Sequence, residues 1–163
     1  MPVDCPLCNA ADIRPFCKDA VRAFFRCPVC RIVIADPATH LTPDAEKARY
    51  DFHQNDINDA GYRGFLNRLA QPLIERLGDQ RLTGLDFGCG PGPALAAMLS
   101  EAGHTMAVYD PYYAPDSRPL NRQYDFIVCT EAIEHFRRPG LEWDRLLALL
   151  RPGADENTAG HQS

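Results

Sequence analysis

Apolar positions follow two periods along this chain. In its second half, three short runs read as strands: residues 83 to 87 with Leu85 and Phe87, HTMAVYD at 104 to 110, and YDFIVCT at 124 to 130. Phe126, Ile127, Val128 and Cys129 follow one another without polar interruption, as in a parallel strand covered on both faces. Helical periods alternate with these runs. Phe65, Leu69, Leu73 and Leu77 recur every four residues and predict a helix from about Tyr62 to Leu77, ended by Gly78. Thr42-Pro43-Asp44-Ala45-Glu46 supplies the cap and first-turn proline of an earlier helix. A polar break at 55 to 61 separates the two. Further helices are expected from Ala94 to Ala102 and from Leu141 to Gly153, the latter amphipathic. Pro111, Pro115 and Pro119 predict a loop between the second and third strands. Strands alternating with helices predict an α/β fold with a parallel sheet.

Between the first strand and the helix at 94 the chain reads GLDFGCGPG, residues 84 to 92. Glycine at 88, 90 and 92 permits positive φ and lets a ligand approach bare backbone. Strand, glycine turn and helix can bring a nucleotide-like ligand to a helix N-terminus. The spacing is not the dinucleotide pattern G-x-G-x-x-G, and a turn without a ligand is the plain alternative. Asp110 ends the second strand 18 residues after Gly92. An acid about 20 residues past such a turn bonds ribose hydroxyls; alternatively Asp110 opens the turn at Asp110-Pro111.

These segments resemble the class I S-adenosylmethionine-dependent methyltransferases: motif I at 84 to 92, the acid at 110, and strand-then-acidic residues at 124 to 136. The resemblance covers roughly residues 80 to 153, about half of the chain. It implies a Rossmann-like three-layer core. It also implies a cofactor site of Asp86, Gly88, Cys89, Gly90, Gly92, Asp110, Thr130 and Glu131. In that family Asp86 orders the loop and faces the amino group, Asp110 takes the 2′ and 3′ ribose hydroxyls, and Thr130 and Glu131 border the adenine and the acceptor. His135 is the candidate base, since imidazole titrates near neutrality; a surface histidine is the plain alternative. Glu131-x-x-Glu134-His135 also resembles the divalent-metal segment of quinone-ring O-methyltransferases, which would place Mg²⁺ on Glu131, Glu134 and His135. Glu131 and Glu134, three apart on a helix, would share a face. Tyr50 and Tyr62 read as surface-packing residues that could instead face the pocket.

Four of the seven cysteines stand in two pairs, Cys5-Pro6-Leu7-Cys8 and Cys27-Pro28-Val29-Cys30, eighteen residues apart. Two such turns supply the tetrahedral thiolates of a structural Zn²⁺ site. Two disulfides are the alternative, but Met1 to Cys5 shows neither a basic start nor an apolar run, so a reducing cytoplasmic location is expected. Phe24 to Arg26 and Ile32 to Ala35 are the expected strands flanking the second knuckle. Cys17 lies between the pairs, Cys129 reads as a small core hydrophobe, and Cys89 sits in the glycine turn.

Net charge is −5. Four zinc-bound thiolates would add −4 + 2 = −2. An acidic chain is a poor default partner for nucleic acid, despite Arg14, Lys18, Arg22, Arg26 and Arg31 in the cysteine-bearing segment. No run is long enough to cross a membrane. The expected organisation is a zinc-ribbon-like module over 1–37, a helical connector over 38–78, a partial S-adenosylmethionine-binding domain over 79–153 and a disordered tail over 154–163. The tail is polar and cannot supply a buried strand. A sheet of three strands is therefore expected, with the strand at 125 to 129 on an open edge through which the chain could self-associate. It reads as a methyltransferase truncated at its C-terminus and impaired as this chain. The expected activity is methyl transfer from S-adenosylmethionine to a small-molecule acceptor. The zinc module is also similar to those of sugar C-methyltransferases and of a ribosomal RNA guanine methyltransferase. A non-catalytic zinc-binding interaction fragment is the alternative from outside the enzymes.

Overall fold

The computed structural model describes residues 4–52 and 56–153. The expectation for the tail at 154 to 163 lies outside the described residues.

Two sheets organise the molecule. The first is antiparallel, β1 (Arg14–Lys18), β2 (Ala23–Arg26) and β3 (Val33–Ala35), in the order β1-β2-β3. β2 and β3 are the expected strands around the second knuckle. β1 had no apolar signal: all five of its residues are exposed, and only pairing with β2 makes it a strand.

α1 (Pro43–Tyr50) begins as its cap predicts, with Thr42 Oγ1 accepting the Ala45 N–H at 3.3 Å. α2 (Ala60–Leu77) is capped by Asp59, whose carboxylate accepts the Tyr62 N–H at 2.6 Å, and ends at Gly78 with φ +65. Its buried stripe is Leu66, Ala70 and Leu73. The predicted stripe is thus rotated about one position at its start: Phe65 is 41% exposed and lies beneath the Arg68 guanidinium.

The second sheet is parallel, with β4 (Thr83–Phe87) between β5 (Thr105–Tyr109) and β6 (Phe126–Val128). All three strands fall where the apolar runs predict. Leu85 pairs with Ala107 on one side and Ile127 on the other. Alternation along the strands makes two cores. Phe126 and Val128 pack with Leu66, Ala70 and Leu73 of α2 and Leu95 and Leu99 of α3 (Ala94–Glu101). Leu85, Phe87 and Ile127 face Leu146 of α4 (Pro139–Ala148) and Leu149 just beyond it. The result is three layers, helix, sheet and helix. Full burial of one such side chain is worth roughly 1.5–3 kcal/mol.

Two expectations are corrected after β6. No helix follows at 131 to 136; a single 3-10 turn covers Ile133–His135, and Glu131 stands before it at φ +53. α4 also stops at Ala148, short of the predicted Gly153. There Leu150 makes a parallel bridge to Tyr124, with the Tyr124 N–H on Leu149 O at 2.8 Å and the Arg151 N–H on Tyr124 O at 2.9 Å. The outer side of β6 is therefore covered at its start, and among the described residues no strand pairs with the rest of it. No described helix is long and apolar enough to cross a membrane.

Candidate functional site

The parallel sheet reverses its winding at β4. The chain moves outward from β4 through α3 to β5, then returns to place β6 on the other side of β4. Strand ends diverge at such a switch point and leave a crevice at their carboxyl ends. Here the turn at 88 to 92 and the segment Thr130 to Ala132 follow the carboxyl ends of β4 and β6 and meet where such a crevice would lie. Gly88 and Gly90 adopt φ +78 and +65. A Cβ on Gly88 would lie 2.6 Å from the Ala132 Cβ, so only glycine lets the two loops meet.

The amides of the glycine turn are already engaged. Gly88 and Cys89 donate to Tyr109 O at 2.8 and 3.3 Å, and Gly90 donates to Asp110 Oδ2 at 3.0 Å. Asp110 Oδ1 also accepts the Tyr112 and Tyr113 N–H groups at 2.8 and 3.0 Å. Asp110 therefore both opens its own turn and clamps the glycine loop. Three of its roughly four acceptor positions are filled, which leaves room for one hydroxyl. Asp86 is 3% exposed, and the Ala96 N–H in the first turn of α3 donates to it. Its carboxylate thus occupies the helix N-terminus where an anionic ligand would otherwise sit.

Charge in the crevice is acidic and poorly solvated. Burial, opposed by the Ala96 N–H and assisted by the Asp110 charge, pushes the Asp86 carboxyl from 3.8 up to about 7. Burial, with the charges of Asp86 and Asp110, pushes the Cys89 thiol up to about 12 and leaves it unreactive. Thr130 Oγ1 is buried with no hydrogen-bond partner. Tyr62 is partly buried against the core cluster of α2, α3 and β6, and its hydroxyl is shifted up by burial and then by the charges of Asp86, Glu131 and Cys89.

His135 lies further out, its side chain about half exposed and edge-on to the Tyr50 ring at 5.4 Å. The proposed Mg²⁺ trio does not form. Among the described residues, the only group of three or more metal-ligating side chains that converges is a set of four cysteines. Glu131 is on a left-handed turn and Glu134 on the next 3-10 turn, so their spacing does not stack them on one helix face.

That cysteine group is Cys5, Cys8, Cys27 and Cys30, with all four sulfurs within 4.8 Å of one another. Cys5 Sγ lies 3.6 Å from Cys30 Sγ, and Cys8 Sγ lies 3.6 Å from Cys27 Sγ. A tetrahedron with Zn–S near 2.3 Å has an edge of about 3.8 Å, so the four thiols are already spaced for such an ion. The two turns share one geometry. Asn9 N–H returns to Cys5 O and Arg31 N–H to Cys27 O, with Asn9 and Arg31 at φ 57 and 67. The N–H groups of Val29 and Cys30 both donate to the Cys27 sulfur at 3.4 Å and favour its thiolate against the burial that opposes it. Cys17 stands apart on exposed β1.

A family model described as "Methyltransferase domain" matches residues 62–155, more than half of the chain. The chain belongs to the methyltransferase domain family. The match begins at Tyr62 and takes in the whole parallel sheet. A solved structure of Burkholderia thailandensis 1,6-didemethyltoxoflavin-N1-methyltransferase with bound 1,6-didemethyltoxoflavin and S-adenosylhomocysteine is similar over 85% of this chain and 69% of that chain. The two share 21% sequence identity, and the TM-score is 0.43. No curated protein matches the sequence. In this methyltransferase domain, the antiparallel sheet docks through its first knuckle: the Gly140 N–H at the start of α4 donates to Pro6 O at 3.1 Å.

Proposed function

We propose that the protein is an S-adenosylmethionine-dependent methyltransferase for a small-molecule acceptor. A zinc module (1–37) and a helical connector (38–78) precede its cofactor-binding unit (79–153). The observation that carries this reading is the charge of the crevice. Asp86 plugs the N-terminus of α3, and Asp110 lies beside it. Phosphates would meet two acidic groups there, whereas a sulfonium and an ammonium group meet complementary charge and draw Asp86 into its carboxylate form. The unpartnered Thr130 hydroxyl adds a polar atom that a ligand would satisfy.

When bound, the cofactor supplies an electrophilic methyl group on a sulfonium. Asp86 holds the amino group, and Asp110 takes one ribose hydroxyl on its remaining acceptor position. Gly88, Cys89, Gly90 and Gly92 admit the ligand close to the backbone. Thr130 and Glu131 border the adenine and the acceptor. The protein's own contribution to rate is to hold the acceptor nucleophile in line at short distance. His135 is the base in this reading, since imidazole titrates near neutrality. The four thiolates hold Zn²⁺ as a structural ion, since they leave no open coordination position.

Titration calorimetry of the 163-residue protein tests the reading. S-adenosylmethionine should bind and ATP should not, and Gly90→Val should abolish binding. Equal or preferred binding of the nucleotide triphosphate would overturn it.

A further inference from the structure

α1 buries none of its residues. Side-chain contacts hold it to the carboxyl rim of the parallel sheet, and Glu46 is their centre. Its Oε1 accepts the Tyr50 hydroxyl at 3.2 Å, and its Oε2 accepts the Tyr112 hydroxyl at 3.0 Å and an Arg137 N–H at 3.2 Å. These partners come from α1, from the loop after β5 and from the segment after β6. The Glu46 side chain is only 19% exposed, so the three contacts share a partly desolvated site. Arg137 also donates to Leu41 O just before α1.

The contacts form a continuous path. Gly90 is bonded to Asp110, Asp110 to the Tyr112 amide, and the Tyr112 hydroxyl to Glu46. Glu46 holds Tyr50, whose ring stands against His135 and lies 6.1 Å from the Tyr112 ring. Burial and then the Glu46 charge shift the Tyr50 hydroxyl upward, and burial and the Glu46 hydrogen bond do the same for Tyr112. Both phenols therefore stay protonated and donate.

We propose that Glu46 is a positioning residue for the acceptor end of the transfer site: through Tyr50 it fixes the His135 imidazole, and through Tyr112 and Arg137 it holds α1 beside the crevice. This rests on the methyl-transfer reading. Glu46 reaches the acceptor side of the site while Asp110 itself keeps the glycine loop in place.

The test uses the full chain with Glu46→Ala, Glu46→Gln and Tyr50→Phe. The His135 ring signals in NMR report the Tyr50 ring, and amide exchange reports α1. In Glu46→Ala the His135 ring signals should move toward those of an exposed histidine. The amides of α1 should exchange at least about tenfold faster, while those of β4 to β6 keep their protection. Affinity for S-adenosylmethionine should be unchanged. Glu46→Gln keeps an acceptor oxygen and should restore part of each effect, and Tyr50→Phe should reproduce the α1 loosening only in part. Unmoved His135 signals with unchanged α1 exchange in Glu46→Ala would overturn the proposal. A wild-type protein that fails to bind S-adenosylmethionine would instead overturn the methyl-transfer reading, and the NMR and exchange results would still decide the role of Glu46.

Discussion

The Asp110 carboxylate accepts the backbone N–H of Gly90 at 3.0 Å, tying the end of β5 to the turn after β4. The same carboxylate organises its own turn through Tyr112 and Tyr113. One side chain thus shapes both the loop a cofactor would approach and the loop that meets α1.

Asp110→Ala should accordingly do two things. Leaving the Gly90 amide and a ribose hydroxyl unpaired should weaken S-adenosylmethionine binding by roughly 1–3 kcal/mol. Amide exchange at Gly88 to Gly90 should also rise without ligand. Calorimetry and exchange mass spectrometry check the two effects, and unchanged values in both would refute the assignment.

The pH dependence follows from Asp86. Its folded pKa is raised from 3.8 to about 7, so the folded protein keeps a proton that the unfolded chain releases between those values. The stability tied to this group is complete below about pH 3.8 and is lost as pH rises to about 7. Urea unfolding at pH 5 and pH 8 should show that fall in the wild type and a smaller one in Asp86→Asn. Cofactor binding should run the other way. A cation beside Asp86 favours the carboxylate, so S-adenosylmethionine should bind more tightly as pH rises toward 7 and should release a proton, measurable in buffers of differing ionisation enthalpy.

How much of this was legible beforehand depends on what each feature needs. β4, β5 and β6 were readable because parallel strands covered on both faces must be continuously apolar, as Phe126 to Val128 are. The cysteine cluster was readable because CxxC spacing fixes its own local geometry. β1 was not, since Arg14 to Lys18 is held by strand pairing rather than by burial. The helix expected at 131 to 136 failed because Glu131 turns left-handed where the chain crosses Gly88. Glu46 showed only as part of a helix start, because its contacts with Tyr112 and Arg137 arise from tertiary docking.

The metal centre predicts a clean result. Cys27→Ser with Cys30→Ser removes one sulfur from each of the two 3.6 Å pairs. Protein purified without added zinc should contain about one equivalent as wild type and lose it in this variant, while Cys17→Ser keeps it. Elemental analysis decides. The double variant should also be less stable, because binding energy for a structural zinc ion is folding energy.

Gly140 predicts how the zinc module is attached. Pro139, first in α4, has no N–H, and the Gly140 N–H that follows is satisfied by Pro6 O of the first knuckle. A Cβ at 140 would run into the Leu7 carbonyl oxygen and lie 3.1 Å from Pro6 O. Backbone cannot move aside as a side-chain tip can, so in Gly140→Ala the knuckle must lift from α4. Alanine is itself the better helix residue by up to about 1 kcal/mol, so α4 has no reason to unwind. The overlap should cost about 1–3 kcal/mol, as overpacking does elsewhere. Zinc content should stay at one equivalent, because Gly140 touches the carbonyls of the knuckle and not its sulfurs. Amide exchange should rise at Cys8 to Ala10 and at Gly140 to Glu142, with β4 and β5 unaffected. Wild-type stability and exchange in Gly140→Ala would show that the module is held to the core by other contacts.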